Sequence, residues 1–321
     1  MQPLVSIIIC NYNYGAFIRN AIESALNQTY STIEVIVVDD GSTDNSHEII
    51  NDYVGKIVPS FKENGGQASA FNEGFAASHG DIICLLDSDD TFDSHKVTEV
   101  VKAFENHQEA AWCFHSLREV EIKTNQVLKT SSPGHPSRVV DFRESINKKG
   151  ERPVFAPATS ACSFKRSLLD PIFPLPKADS IEISDNYIKF ACVALSQGFY
   201  LNESLSTQGI HSHNLYTQQS GRKVINVKVD MTTAYWLRKN FPNLKHFSNR
   251  LFRTGLANYW LCHQTDEKIL IIIKNYFEIS TLLEKAQILL VASLHYTNLT
   301  SKIQQFKALL PKKIKLLNGL K

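Results

Sequence analysis

Within the first 90 residues, four short β-branched runs alternate with three segments of helical length, and that alternation constrains the fold more than any other feature. The runs cover 5–10, 34–39, 56–61 and 81–86; the helical segments cover 16–28, 44–53 and 67–78, with Gly15, Gly41 and Gly65-Gly66 at the turns. Strands separated by helices lie parallel in one sheet, with the helices covering its faces. The spacing therefore predicts an α/β nucleotide-binding sheet. Ligands of open α/β sheets sit beyond the carboxyl ends of the strands. The segments to inspect are 11–15, 39–44 and 87–90, and all three are polar.

Downstream, the pattern predicts a helix over 94–106, a strand over 110–115 and a hairpin turning at 123–126. A polar loop follows over 131–152, then an apolar run at 160–165 and a proline-rich stretch at 171–176 that cannot be helix interior. Residues 184–197 read as a helix closed by Gly198, and beyond Gly221 the chain reads as helices broken at Pro242 and Pro311. A domain over 1–220 and a helical region over 221–321 are expected. At 321 residues with 43% hydrophobic content, the chain can bury a full core and still carry that appendage.

The formal net charge of +2 gives no global field to attract nucleic acid. Six cysteines without CxxC spacing, mostly inside apolar runs, fit a reducing cytoplasm. The opening MQPLVSIIIC lacks a basic n-region and reads as a first strand, not a signal peptide. The longest apolar tracts, 269–273 and 288–294, fall well short of the roughly 18 residues of a membrane span.

At 85–90 a buried run ends in Asp87-Ser88-Asp89-Asp90. In extended backbone, residues i and i+2 share a side, so Asp87 and Asp89 can converge on one hard cation while Ser88 faces away. The competing reading is a polar turn in which Asp90 or Asp93 caps the next helix. A second run stops at Asp39-Asp40, where Asp40 can accept from a base or ribose and Ser42 and Asp44 can act as caps. Tyr12 offers a ring face to a base, or a loop-packing group. Neither GxGxxG nor GxxxxGK[ST] occurs, so dinucleotide oxidoreductases and P-loop nucleotidases are disfavoured. Carboxylates where those folds place glycine nests imply phosphates bound through a cation.

Four pieces, VSIIICNYN at 5–13, IVVDDGSTD at 36–44, NGGQ at 64–67 through NEG at 72–74, and DSDD at 87–90, together resemble family 2 glycosyltransferases of the GT-A fold. The resemblance is strong to about residue 100 and fades beyond about 215. It implies that Tyr12 and Asp40 hold the base of a nucleotide-sugar, with Cys10 in the same donor site, and that Asp87-Ser88-Asp89 holds ribose and Mn2+ or Mg2+. It places Gln67 and Asn72 along the nucleotide, although many relatives carry arginine where this chain has Phe71. These enzymes are mostly inverting, with a carboxylate base in an acidic motif that opens a downstream helix. The matching stretch, ISDNY at 183–187, makes Asp185 that base, with Ser184 in place of the usual glutamate; a helix N-terminus also favours aspartate. GIHSHN at 209–214 resembles the segment carrying a metal-binding histidine, and His211 fits the spacing better than His213. Ordinary loop histidines are the alternative.

The resemblance implies a UDP-sugar donor and a glycan or lipid-linked acceptor in cell-surface or exported glycan synthesis. A nucleotide-sugar binding protein without turnover keeps the same donor site; a sugar-nucleotide pyrophosphorylase would want a glycine-rich basic loop where this chain has NYNYG. Residues 301–321 carry six lysines and no acidic residue, interleaved with leucine, isoleucine and phenylalanine. That composition suits either peripheral contact with the cytoplasmic membrane face or a helix packed on the body.

Overall fold

The computed structural model describes residues 2–153, 155–176, 185–212, 214, 222–262, 266–298 and 301. Contacts divide the chain into two compact units, Met1–Gln219 and Ser220–Lys321.

The first unit is built on a ten-stranded sheet. Its parallel half comprises β1 (Val5–Asn11), β2 (Ile33–Asp39), β3 (Val58–Phe61) and β4 (Ile82–Asp87), in the order β3-β2-β1-β4. Between them run α1 (Gly15–Leu26), α2 (Ser46–Asn51) and α3 (Gln67–Ala77). β1, β2 and β4 are buried on both faces because alternate side chains find different partners, while β3 is a partly exposed edge. Val5, Ile7 and Ile9 join Ile18 and Ile22 of α1 in the main core, together with Val97, Val100 and Phe104 of α4 (Lys96–Asn106). On the opposite face Ile36 and Val38 pack with Ala70 of α3. Helix α3 comes close to the sheet at Gly74, where an added Cβ would lie 2.4 Å from Ile8 Cγ2.

The other half mixes directions. After β5 (Thr91–Phe92) come β6 (Trp112–Glu121), β7 (Gln126–Ser131), β8 (Arg138–Val140) and β9 (Cys162–Lys165), then the short α5 (Arg166–Leu169) and α6 (Asp185–Leu195). Strand β9 sits antiparallel between β4 and β6. The hairpin between β6 and β7 turns where expected, with Asn125 at φ 54°, but β6 runs well past the end the sequence suggested, and β8 lies inside the supposed polar loop. The main departure is β10 (Gly198–Ile210), thirteen residues parallel to β6. Gly198 therefore opens a strand. Register shifts near Ser204 bulge β10, and its central residues are mostly polar, so no alternating apolar signal announces it.

In the second unit, α7 (Arg222–Asn240) and α8 (Lys245–Cys262) are joined by a short turn at Pro242–Leu244, the expected break. Then come α9 (Glu267–Glu278), capped by Asp266 accepting from the Ile269 amide at 3.1 Å, and a helix over 282–298. Among the described residues no helix is long and apolar enough to cross a membrane. The break foreseen at Pro311 and the lysine-rich stretch over 302–321 lie outside the described residues.

Candidate active site

Parallel register brings three strand ends side by side. Asn11 pairs with Asp39, and Cys10 pairs with Asp87. Asp39 is committed internally: Oδ1 accepts from Asn11 Nδ2 at 2.8 Å and Ser42 Oγ at 2.6 Å, and Oδ2 accepts from the Ser42 amide at 3.0 Å. Ser42 thus ties the β1 and β2 turns together. Asp44 accepts from the Gly15 amide at 2.8 Å and the Ser46 amide at 3.0 Å, so it holds the first residues of α1 and α2, although the cap position of α2 is Asn45 and not Asp44.

Asp40 is buried and holds the next loop. Lys62 Nζ lies 2.5 Å from Oδ1, the Gly65 amide donates to Oδ1 at 3.0 Å and the Gly66 amide to Oδ2 at 2.7 Å. Gly66 adopts φ 80° to present that amide. A carboxylate has about four acceptor positions, so one further donor can still be received. Tyr12, 45% exposed beyond β1, presents an open ring. Cys10 lies among these groups; burial raises its thiol, and Asp87 and Asp40 add to the effect.

At 87–90 burial alternates: Asp87 and Asp89 are partly exposed, Ser88 is 4% exposed and Asp90 is buried. The two outer carboxylates are thus the open ones and Ser88 turns inward, but the chain is not extended here: the Asp90 amide donates to Asp87 O at 3.1 Å across a turn, so the i, i+2 alternation expected of a strand is not the cause. Burial raises the Asp87 carboxyl to about 7, helped by Asp89 and Asp185, against hydrogen bonding from Thr159 and the charge of Lys189. Burial raises Asp89 too, while His211 and Asn214 pull it down. Asp90 caps no helix. Its Oδ2 accepts from Ser160 Oγ at 2.6 Å and its Oδ1 from the Gly209 amide at 3.0 Å, pinning the turn to the approach of β9 and to β10.

β10 delivers His211 to this turn. His211 Nε2 lies 3.1 Å from Asp89 Oδ2, and its ring stacks on Phe17 at 4.3 Å between centroids. Asn214 fixes the pair: its amide nitrogen donates to Asp89 Oδ2 at 2.9 Å and to Gly209 O at 3.0 Å, while its Oδ1 accepts from the His211 amide at 2.6 Å. His213 lies outside the described residues, as does Ser184.

Asp185 opens α6. Its Oδ2 accepts from Lys189 Nζ at 2.6 Å and from Thr159 Oγ1 at 3.1 Å. Lys189 also donates to Pro157 O at 2.9 Å. Burial alone would lower the Lys189 ammonium, but Asp185, with Cys162 and Asp87, holds it above its ordinary value.

Gln67 and Asn72, the two nucleotide-site residues expected on α3, fare differently. Gln67 is the first residue of the helix and is partly exposed. Asn72 faces elsewhere. Its amide nitrogen donates to Leu175 O at 2.9 Å and its Oδ1 accepts from the Leu175 amide at 2.5 Å. Both ends of that carboxamide clamp the proline-rich segment. Phe71 is buried in the core.

Sequence reasoning missed Lys62, Thr159, Ser160 and Lys189. Lys189 carried a usable signal, since it follows Asp185 by four residues on a helix. The others become partners through the sheet alone.

Carboxylates this close raise one another, which is the condition a cation relieves. Oxygen donors with one imidazole suit Mn2+ or Mg2+. Among the described residues no three His, Cys, Asp or Glu side chains enclose a metal by themselves. Asp87, Asp89 and His211 can supply part of a shell that phosphate and water complete.

A family model described as glycosyl transferase family 2 matches residues 6–173, over half of the chain. The chain belongs to glycosyl transferase family 2. An uncharacterized glycosyltransferase of Nostoc sp. is 35% identical to this family member over 214 residues, 65% of this chain and 66% of the relative. One of Rickettsia typhi is 41% identical over 36% of this chain and 37% of its own. The matches thus span from about a third to just under two thirds of these relatives' lengths. S. aureus TarS 1-349, solved in complex with UDP-GlcNAc, superposes with a TM-score of 0.59 at 17% identity, covering 80% of this chain and 73% of TarS. These likenesses give the fold as GT-A.

Proposed function

We propose that this family 2 member transfers a sugar from a UDP-sugar to a hydroxyl acceptor with inversion, assisted by Mn2+ or Mg2+, in the making of surface or exported glycan. The observation that carries this reading is the convergence of Asp87, Asp89 and His211, with Asp185 close enough to raise Asp87. The UDP-GlcNAc bound by TarS supports the choice of donor.

In this reading Tyr12 stacks on the base, and Asp40, Cys10 and Gln67 line the nucleotide. Asp87, Asp89 and His211 would hold the ion, whose chemistry when bound is to offset charge on the departing diphosphate. Asp185 takes the proton of the acceptor hydroxyl as its oxygen attacks the anomeric carbon. The bond from that carbon to the diphosphate oxygen breaks, and configuration inverts. Lys189 and Thr159 both hold Oδ2 of Asp185, so the carboxylate is oriented while its Oδ1 has no hydrogen-bond partner among the described residues.

A thermal-shift panel of UDP-, GDP- and dTDP-sugars with and without Mn2+ tests the donor site, since a hundredfold excess over Kd stabilises by about 2.7 kcal/mol. A protein that no nucleotide-sugar stabilises would sink the reading. Stabilisation without nucleotide release in the presence of any acceptor would favour the non-catalytic binding protein.

A further inference from the structure

Charge is distributed unevenly along this chain. Residues 221–321 contain 17 Lys and Arg against five Asp and Glu, a net of +12, whereas 1–220 contain 17 against 27, a net of −10. The near-neutral total conceals a strongly basic second unit.

Within that unit is a cleft of about 230 Å3 lined by Arg250, Arg253, Thr254, Val291 and His295. The first three lie on α8, and the last two are one turn apart on the helix over 282–298. Neither guanidinium has a carboxylate partner among the described residues, although this chain pairs other arginines, such as Arg238 with Glu284 at 2.9 Å. Burial lowers Arg253 from its ordinary value, and the neighbouring Arg250 adds to the effect. Two guanidiniums side by side, with no carboxylate between them among the described residues, can receive an anion. The cleft is below the roughly 300–1,000 Å3 of sites for drug-sized ligands, so it suits one phosphate group and not a whole nucleotide-sugar.

The helix that supplies Val291 and His295 also carries an apolar stripe open to solvent. Leu283 is 69% exposed, Leu290 62% and Leu294 56%, at the i, i+7, i+11 spacing of one helical face, and Leu282 beside them is 83% exposed. An apolar stripe bordered by unpaired cations is the composition of a surface that lies in a membrane interface. Pairing with a second copy would bring two units of net +12 together, so charge disfavours self-association and favours an anionic partner.

We propose that the cleft of Arg250, Arg253, Thr254 and His295 receives the phosphate headgroup of an anionic phospholipid while Leu283, Leu290 and Leu294 seat in the bilayer beside it. This surface is independent of the transfer reading. It differs from the lysine-rich stretch over 302–321, which offers charge by composition alone.

The test is co-sedimentation of the full chain with phosphatidylcholine vesicles, with and without phosphatidylglycerol. Binding should require the anionic lipid. Arg250→Gln with Arg253→Gln should weaken it about tenfold, whereas the charge-matched exposed pair Lys245→Gln with Lys274→Gln should weaken it less than about threefold. Leu290→Ser with Leu294→Ser should weaken it comparably to the arginine pair. All these positions are partly or fully exposed, and an unchanged thermal midpoint with an unchanged circular dichroism spectrum certifies folding. Equal loss in the two charge pairs would overturn the cleft in favour of a diffuse field. Saturation by glycerol phosphate without vesicles, with the leucine variants indifferent, would overturn the bilayer. Leucine variants that abolish a dimer seen by light scattering but leave vesicle binding intact would overturn the proposal in favour of self-association.

Discussion

Asp89 and His211, 122 residues apart in sequence, meet with 3.1 Å between Oδ2 and Nε2, and Asn214 bonds to both. The contact exists because β4 and β10 reach the same edge of one sheet. It joins the Asp87–Asp90 turn to the last strand of the first unit.

If the pair holds one ion, its members act as a unit. His211→Ala and Asp89→Asn should each lower Mn2+-dependent transfer by at least about 10–100-fold, the loss that follows removal of a residue supporting a metal ligand. The double variant should be little worse than either single one, because residues in one network are not additive. Chelation should abolish turnover and added Mn2+ restore it. Losses that multiply in the double variant would show that the two residues act separately.

Asp185→Asn should leave the donor-induced thermal shift intact and reduce the rate of transfer by about 10²–10⁴, the span of a lost general base. It should also destabilise the fold, since Lys189 would stay buried without its carboxylate, and breaking such a pair costs about 3–5 kcal/mol. Denaturant unfolding measures the second effect apart from the first. Wild-type turnover in this variant would remove Asp185 from the mechanism.

Asn72 gives the opposite pattern. With both ends of its carboxamide on the Leu175 backbone, Asn72→Ala should cost about 1–3 kcal/mol for the groups left unpaired. Donor affinity, read by titration calorimetry at a temperature where the variant is folded, should not change. A weakened donor Kd with unchanged stability would return Asn72 to the nucleotide site.

The parallel half of the sheet was legible because each of β1, β2 and β4 is a mostly apolar run, interrupted only by Ser6 and Glu34, that ends at a carboxylate or amide, and a double-sided sheet favours that pattern. β10 was not, because it pairs through bulges and carries Asn202, Glu203, Ser204, Ser206 and Thr207 at its centre. His211 could still be picked from its motif, but the strand that presents it could not. That Asp87 and Asp89 stand close was legible in their spacing, although the chain turns at 88–89 and is not extended there. The role of Asp90 was not, because Ser160 and Gly209 lie 70 and 119 residues away. Asn72 shows the limit of a motif: family position suggested a ligand, while the proline-rich segment, folded back over α3, claims its amide.

The second unit has an acid-sensitive joint of its own. Arg238 donates to Glu284 at 2.9 Å, to Ile279 O at 3.0 Å and to Asn249 Oδ1 at 2.5 Å, and Asn249 also accepts from Tyr276 OH at 2.7 Å. Partial burial would raise the Glu284 carboxyl, but Arg238 and Thr281 outweigh it and bring the group from 4.5 down to about 2. The folded state thus binds this proton more weakly than the unfolded chain does. Its stabilising contribution is complete above about 4.5 and is lost as pH falls through about 2. Glu284→Gln should lower the thermal midpoint by a constant amount above that window, and the gap to wild type should close as pH falls through it. Melting curves of the two proteins against pH decide the matter. A gap that stays the same at every pH would show that the glutamine lost packing or hydrogen bonds and that the ion pair contributes nothing.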